Sequence, residues 1–418
     1  MTNCLSGDDN QAIGHLRRAI ALLAELPAGA ERDEREVLLQ IALGSSLAAA
    51  RGIGHAETGE TYERAWALSD SAGDSVRRTV LGGLAIYHTV RGDPRQGAEW
   101  ARQQLALSDE RGDTVHLLIG HSQIAGAECF LGKFTSSLAH AEEAIAIYDR
   151  ARHGWIAVKY GVDQGVQALC YAGWSLWQLG YPDRALGRAR EAVGLAGTLD
   201  HPYTLGMALF SKSAVHSFRG DPAAQVRTAE EAIALSEAQG FPLWLGVAKV
   251  FRGAARAAAE ADATAVAEIS EGLTRAAGTG AQAGAPLLFA LLAQAQHAVG
   301  QLAEAMVAVE TGLAIAAQTG QPFADAELYR SKGELLLASS AAGVPEAEAL
   351  FRHALEIARA QGARSIELRA ATSLARLLRD QGRRAEARDV LAPVYGWFTE
   401  GFDTGDLAEA KALLEELR

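Results

Sequence analysis

Apolar residues along the chain return at intervals of three and four, and the pattern breaks at glycine and proline. The stretch from Tyr171 to Ala196, YAGWSLWQLGYPDRALGRAREAVGLA, shows the unit. Offsets of three and four share one helix face, so two amphipathic helices are predicted around one turn. Gly173 falls inside the first helix. Gly180 ends it, because a glycine just past a helix supplies the left-handed backbone that other residues resist. Pro182 starts the second helix without penalty, since its missing N–H had no partner there. Ala185, Ala189 and Ala192 line one side of that second helix. Runs of alternating β-branched residues are hard to find, and the chain reads as all-α.

The unit recurs. Aligned on a small residue of each second helix, the landmarks are Ala19, Ala65, Gln104, Ala144, Ala192, Ala232, Gly272, Gly312, Ala354 and Val394. Most steps are about 40 residues, with 46 and 48 at two places. Gly92, Gly132, Gly180, Gly220, Gly300 and Gly382 mark the turn inside a unit, and Pro94, Pro182 and Pro222 follow three of them. Turns between units end at Pro202, Pro242, Pro286 and Pro322, which are stop-then-start signals for adjacent helices. A stack of such hairpins grows without needing a new core. Residues 1–418 therefore form one superhelical domain. A lone second helix or cap covers 1–25, about nine helix pairs cover 26–398, and a capping helix covers 399–418. The opening DNQAIGHLRRAIALL is either a second helix whose partner was lost from a longer chain or ancestor, or a single cap.

The order of small residue, turn glycine, alanine, bulky apolar residue (Tyr62, Leu16 or Phe351) and small residue resembles the tetratricopeptide repeat (TPR). The resemblance implies a right-handed superhelix of antiparallel helix pairs with a concave inner face, its helices longer than in the usual 34-residue unit. The final segment, LAPVYGWFTEGFDTGDLAEAKALLEEL from Leu391, goes further. It is similar to the repeat region of bacterial regulators that join a nucleotide cyclase or protein kinase module to a signalling ATPase of the STAND type. LLQIALGSSLAAARG from Leu38, KYGVDQGVQALCYAGWSLWQLGYPDRAL from Lys159, QGFPLWLG from Gln239 and AELYRSKGELLL from Ala326 share that likeness. Gln164 departs from it, standing where the pattern D-P-G-V has proline. The resemblance implies a sensor or docking arm whose ATPase or cyclase modules would lie upstream.

Composition narrows the function classes. Hydrophobic residues make up 49% and aromatics 6%, with a formal charge of −12. That overall field opposes nucleic acid. Three cysteines, Cys4, Cys129 and Cys170, form no C-x-x-C pair, and an odd count suits no closed disulfide framework. The start, MTNCLSGDDNQA, lacks the basic and apolar regions of a signal peptide. No apolar run approaches about 18 residues, so no membrane span is predicted, and a cytoplasmic protein is expected.

Catalytic motifs are absent. GAECFLGKF, Gly126 to Phe134, is one residue too long for a phosphate loop and carries Phe134 in place of the hydroxyl residue. GTGAQAG, Gly278 to Gly284, follows a helix rather than a strand and reads as a flexible connector. The eleven histidines show no metal spacing. No cofactor and no enzyme activity are expected.

The concave face is the better place for a site. Within each first helix, three positions project inward: Ser122, Gly126 and Cys129; Cys170, Trp174 and Trp177; Phe210, Ala214 and Ser217; Arg330, Glu334 and Leu337; Thr372, Arg376 and Arg379. The middle of the groove would be aromatic and its last turn basic. Trp174 and Trp177 form a platform for a peptide or small ligand, or else pack between helices. Tyr160 and Asp163 precede that helix, with Asp163 either a cap or a binding group. Arg369, Arg376 and Arg379 share a face that can grip a carboxylate or phosphate, or can be spent on the interspersed Glu367, Asp380 and Glu386. The chain thus reads as a non-catalytic scaffold for a protein or peptide partner. A metabolite sensor near Trp174 and Trp177 is the alternative, and self-association through exposed repeat ends a further one.

Overall fold

A computed structural model describes residues 4–109, 112–260 and 262–418. Among them there are helices and turns but no strand. The chain opens with α1 (Cys4–Leu23), α2 (Ala30–Arg51), α3 (Ala56–Ala67), α4 (Asp74–Arg91), α5 (Pro94–Asp109), α6 (Thr114–Phe130) and α7 (Phe134–Ile147). Two short helices follow, α8 (Arg150–His153) and α9 (Ile156–Tyr160). Next come α10 (Gln164–Gln178), α11 (Pro182–Ala196), α12 (Pro202–Arg219), α13 (Pro222–Gln239), α14 (Pro242–Glu260), α15 (Ala263–Ala277), α16 (Ala285–Ala298) and α17 (Leu302–Thr319). The last are α18 (Asp325–Ser339), α19 (Val344–Gln361), α20 (Arg364–Asp380), α21 (Arg384–Tyr395) and α22 (Gly405–Glu416).

The two helices of each pair pack on each other, and the first helix of each pair also packs on the first helix of the next, from α2 on α4 through to α20 on α22. This is the arrangement of an α-solenoid of the TPR type. All ten repeat landmarks lie on second helices, and nine of them, all but Ala19, are buried. The six glycines predicted inside units all have positive φ, from +69° to +98°. Prolines open α5, α11, α12, α13 and α14. The step of 48 residues has a structural cause: α8 and α9 are an insertion between α7 and α10.

The solenoid coils back on itself, so that its later hairpins lie against its earlier ones. The backbone N–H groups of Gln282 and Ala283 donate to the Val90 carbonyl at 2.8 and 3.1 Å. Ser365 Oγ donates to the Trp177 carbonyl, 188 residues away in sequence. Phe130 meets Phe323 edge to face. Glu400 accepts from the Asp183 and Arg184 N–H groups at the start of α11, satisfying two donors that no helix can satisfy internally. Asp183 in turn accepts from the Gly401 N–H, and Arg219 bridges Asp183 and Asp403. Small residues make the approach possible: a Cβ on Gly54 would lie 2.6 Å from the Gly280 carbonyl oxygen.

Two expectations change as a result. The GTGAQAG stretch is not a loose connector; it is hydrogen-bonded into the α4–α5 corner. The inner face is not an open trough along its length either. Phe130, Trp174, Trp177, Trp244, Phe251 and Phe323 join one buried cluster that spans both superhelical turns. No helix among the described residues is long and apolar enough to cross a membrane.

Candidate functional site: a charged cavity between superhelical turns

Where α10 and α12 of the first turn face α16, α18, α20 and α22 of the second, a cavity of about 230 Å³ remains. A neighbouring cavity of about 230 Å³ shares Gln294, Arg330 and Arg376 with it. One wall is apolar, built from Trp177, Phe218, Leu287, Leu291, Phe323 and Ile366. The rest of the lining is ionic, with Arg330, Arg369 and Arg376 set among Glu327, Asp406 and Glu409.

The three arginines are held differently. Arg330 makes a two-pronged contact with Glu327 at 2.6 and 3.0 Å, and its remaining nitrogen reaches Ser373 and Glu334. Burial pushes the Glu327 carboxyl up; the charge and hydrogen bonds of Arg330 more than reverse this and hold it below the ordinary range. Gln294 adds a further hydrogen bond to Glu327. Arg369 donates to Asp406 and to the Phe218 carbonyl, both at 2.8 Å, and its guanidinium lies 4.9 Å from the centre of the Trp177 ring. A cation at the carbonyl end of α12 also complements the helix dipole. Arg376 has one ion-pair partner among the described residues, Glu409. Burial, with Arg330 and Arg379 nearby, holds the Arg376 guanidinium below its ordinary value, against the pull of Glu334 and Asp380.

The aromatic residues read from sequence are brought together, but as core. Trp174 is 5% exposed and enclosed by Phe130, Phe210 and Phe218. Phe210 passes the stack on to Trp244 and Phe251. Trp177 is 2% exposed, stacked on Phe218 at 4.6 Å, with one edge on the cavity. An open platform is therefore replaced by a packed ladder, because the second superhelical turn covers it. Cys170 and Cys129 are buried, and burial pushes both thiols up to about 12, which leaves them unreactive.

Asp163 lies away from the cavity. Its carboxylate caps α10 by accepting from the Val166 N–H at 3.0 Å and also accepts from the Tyr148 hydroxyl. Tyr160 ends α9 and packs against the small buried cluster of Leu118, Ile119, Ala144, Ile156 and Ala168. Glu334 accepts from Ser373 and lines the neighbouring cavity. Arg379 turns away to Asp380 and Glu416, so the predicted arginine face divides: Arg369 and Arg376 point into the cavity and Arg379 does not. Phe218, Gln178, Glu327, Asp406 and Glu409 are lining residues that the inward projection misses. Glu327 stands one helical turn before Arg330 and could have been found by extending the same face. Asp406 and Glu409 belong to α22, the predicted capping helix, which carries no repeat landmark from which an inward face could be projected.

Among the described residues no cluster of three or more His, Cys, Asp or Glu could hold a metal. No protein-family model matches the chain, and no curated protein matches it in sequence. Among solved structures the chain is similar to a Rap protein complexed with competence and sporulation factor, at 12% identity over 99% of this chain and 100% of that one, with a TM-score of 0.44. It is similar to NprR in complex with its cognate peptide NprX, at 13% identity over 71% of this chain and 82% of that one, with a TM-score of 0.49. It is also similar to a signal transduction ATPase with numerous domains and a TPR sensor from Pyrococcus horikoshii, at 12% identity and a TM-score of 0.47. That match covers 92% of this chain and 55% of the ATPase, so this chain spans about half of the larger protein.

Proposed function

We propose that this protein is a non-catalytic scaffold that binds a short peptide segment of a partner protein in the cavity between its superhelical turns. The observation that carries the reading is the cavity's mixed lining: apolar side chains from Trp177 to Ile366 together with three arginines. Apolar area supplies affinity and a few placed polar groups supply orientation. The carboxylates there are committed to ion pairs, and Glu327 is held ionised, which suits recognition better than proton transfer. A place as the docking arm of a signalling regulator, next to an ATPase or cyclase module, rests on the sequence resemblance alone.

A photoreactive amino acid placed at Ser217, on the cavity wall, tests the reading in cells of the source organism. Peptide adducts identified by mass spectrometry at Ser217, and none at Val307 on the exposed side of α17, are the expected result. Equal labelling at both positions, or none at Ser217, contradicts it. The cavity volume supports a second reading, a small metabolite bound beside Trp177. Native mass spectrometry separates the two: a retained small mass, removed by partial denaturation and absent after Arg376→Gln, favours the metabolite.

A further inference from the structure

Seven large apolar side chains stand exposed among the described residues, and five of them fall in two groups. The first group is on the α8–α9 insertion. Trp155 is 49% and Val158 82% exposed, three positions apart and so on one side of α9. The insertion is fixed in place. His153, Ile156 and Ala157 are buried beneath it, Asp149 caps α8, and Arg150 donates to the Thr198 carbonyl at 2.8 Å. The exposed Arg150 and Arg152 stand beside the apolar pair, and neither has an ion-pair partner among the described residues. The second group is on the α1–α2 hairpin, the first of the stack. Leu22, Leu26 and Leu38 are each about half exposed. Glu34 lies one helical turn before Leu38, and Glu25 lies in the turn that closes α1. Both glutamates are exposed and without an ion-pair partner among the described residues. Arg32 ties this turn to α2 by donating to the Leu26 carbonyl.

We propose that the α8–α9 insertion of one molecule docks on the α1–α2 hairpin of a second copy of this chain. Charge selects the pairing. Insertion against insertion sets arginine on arginine, and hairpin against hairpin sets glutamate on glutamate. Insertion against hairpin sets unpaired cations on unpaired anions, and a guanidinium meets a carboxylate through two parallel N–H donors. The apolar groups agree with this. Trp155 and Val158 leave water against three leucines, and a rigidly held tryptophan flanked by arginine is the composition of a contact centre. The two surfaces are different, so the contact is heterologous, and successive copies form a ring or an open row. Neither patch contributes to the lining of the cavities between the superhelical turns, so the inference is independent of the peptide-binding reading.

The test is sedimentation equilibrium of the full chain at physiological ionic strength. Salt then screens the long-range repulsion between copies of charge −12 but leaves charges in contact largely paired. Each patch is small, so association is expected at concentrations on the order of 100 µM. The mean mass of the wild-type protein should rise with concentration. One variant, Arg152→Glu with Val158→Glu, loses the insertion patch; another, Glu34→Ser with Leu38→Ser, loses the hairpin patch. Each alone should stay monomeric. Mixed in equal amounts they should form dimers and nothing larger, because each keeps one intact patch and the two intact patches are complementary. All four positions are exposed, so both variants should melt with the wild type. Trp155→Ser or Leu22→Ser takes the place of either that does not. Wild-type protein that remains monomeric up to millimolar concentration overturns the proposal. So does a variant that associates alone as the wild type does, or a mixture that stays monomeric where the wild type associates.

Discussion

Glu327 and Arg330 stand one helical turn apart on α18, both with side chains largely removed from water at 7% and 17% exposure. Removing one partner of such a pair strands the other charge. Glu327→Gln is expected to lower stability by about 3 kcal/mol, read as a shift in the urea midpoint with an unchanged slope. Asp325, two residues earlier, behaves in the opposite way. Burial pushes its carboxyl up to about 6, with His353 drawing it back. One oxygen is buried without a partner. A carboxyl with a raised folded-state pKa binds more protons in the folded protein, so its contribution to stability falls as pH rises from 3.8 to about 6. The full difference corresponds to roughly 3 kcal/mol. Partial solvent access and the positive end of α18 reduce this. Asp325→Asn is expected to stabilise the protein by about 1 kcal/mol at neutral pH and to have no effect below 3.8. Denaturation curves at the two pH values check this; a gain that persists in acid would mean that the charge is not the cause.

At the level of the hairpin, the sequence was largely readable. Offsets of three and four identify faces, Gly180 and Gly382 identify turns, and Pro182 identifies a start, because each is set by local backbone chemistry. Two glycines separate local from long-range effects. Gly382 has φ +80° and open space around a would-be Cβ, so Gly382→Ala reports backbone strain alone, about 1 kcal/mol. Gly180 has φ +91°, and a Cβ there would lie 2.5 Å from the Trp397 ring and 2.9 Å from Arg364 Cβ. Gly180→Ala should therefore cost clearly more, roughly 3 kcal/mol, and lower the melting temperature further than Gly382→Ala. Equal losses would mean that the α10–α11 corner does not touch the 364–397 region. The α8–α9 insertion was legible only as an irregular step between Ala144 and Ala192, since helices of four and five residues carry too little periodicity to be seen.

The coiling of the whole molecule was not legible. It accumulates from small rotations between successive hairpins, and no face pattern encodes their sum. That is why the residue pattern left open whether Trp174 and Trp177 form a platform or pack between helices, a choice that the second superhelical turn makes by covering them. The cavity exists because the second superhelical turn lies on the first; Trp177 and Arg369, from the two turns, meet only on that condition. The amides of Gln282 and Ala283 give the most direct test. They sit in a loop, outside any helix, and donate to the carbonyl of Val90 in a distant hairpin. Residue-resolved hydrogen exchange should find both protected by at least a hundredfold relative to an unstructured chain. Exchange at the unprotected rate, with the helices on either side still protected, would mean that the turns do not meet and that the cavity is not there.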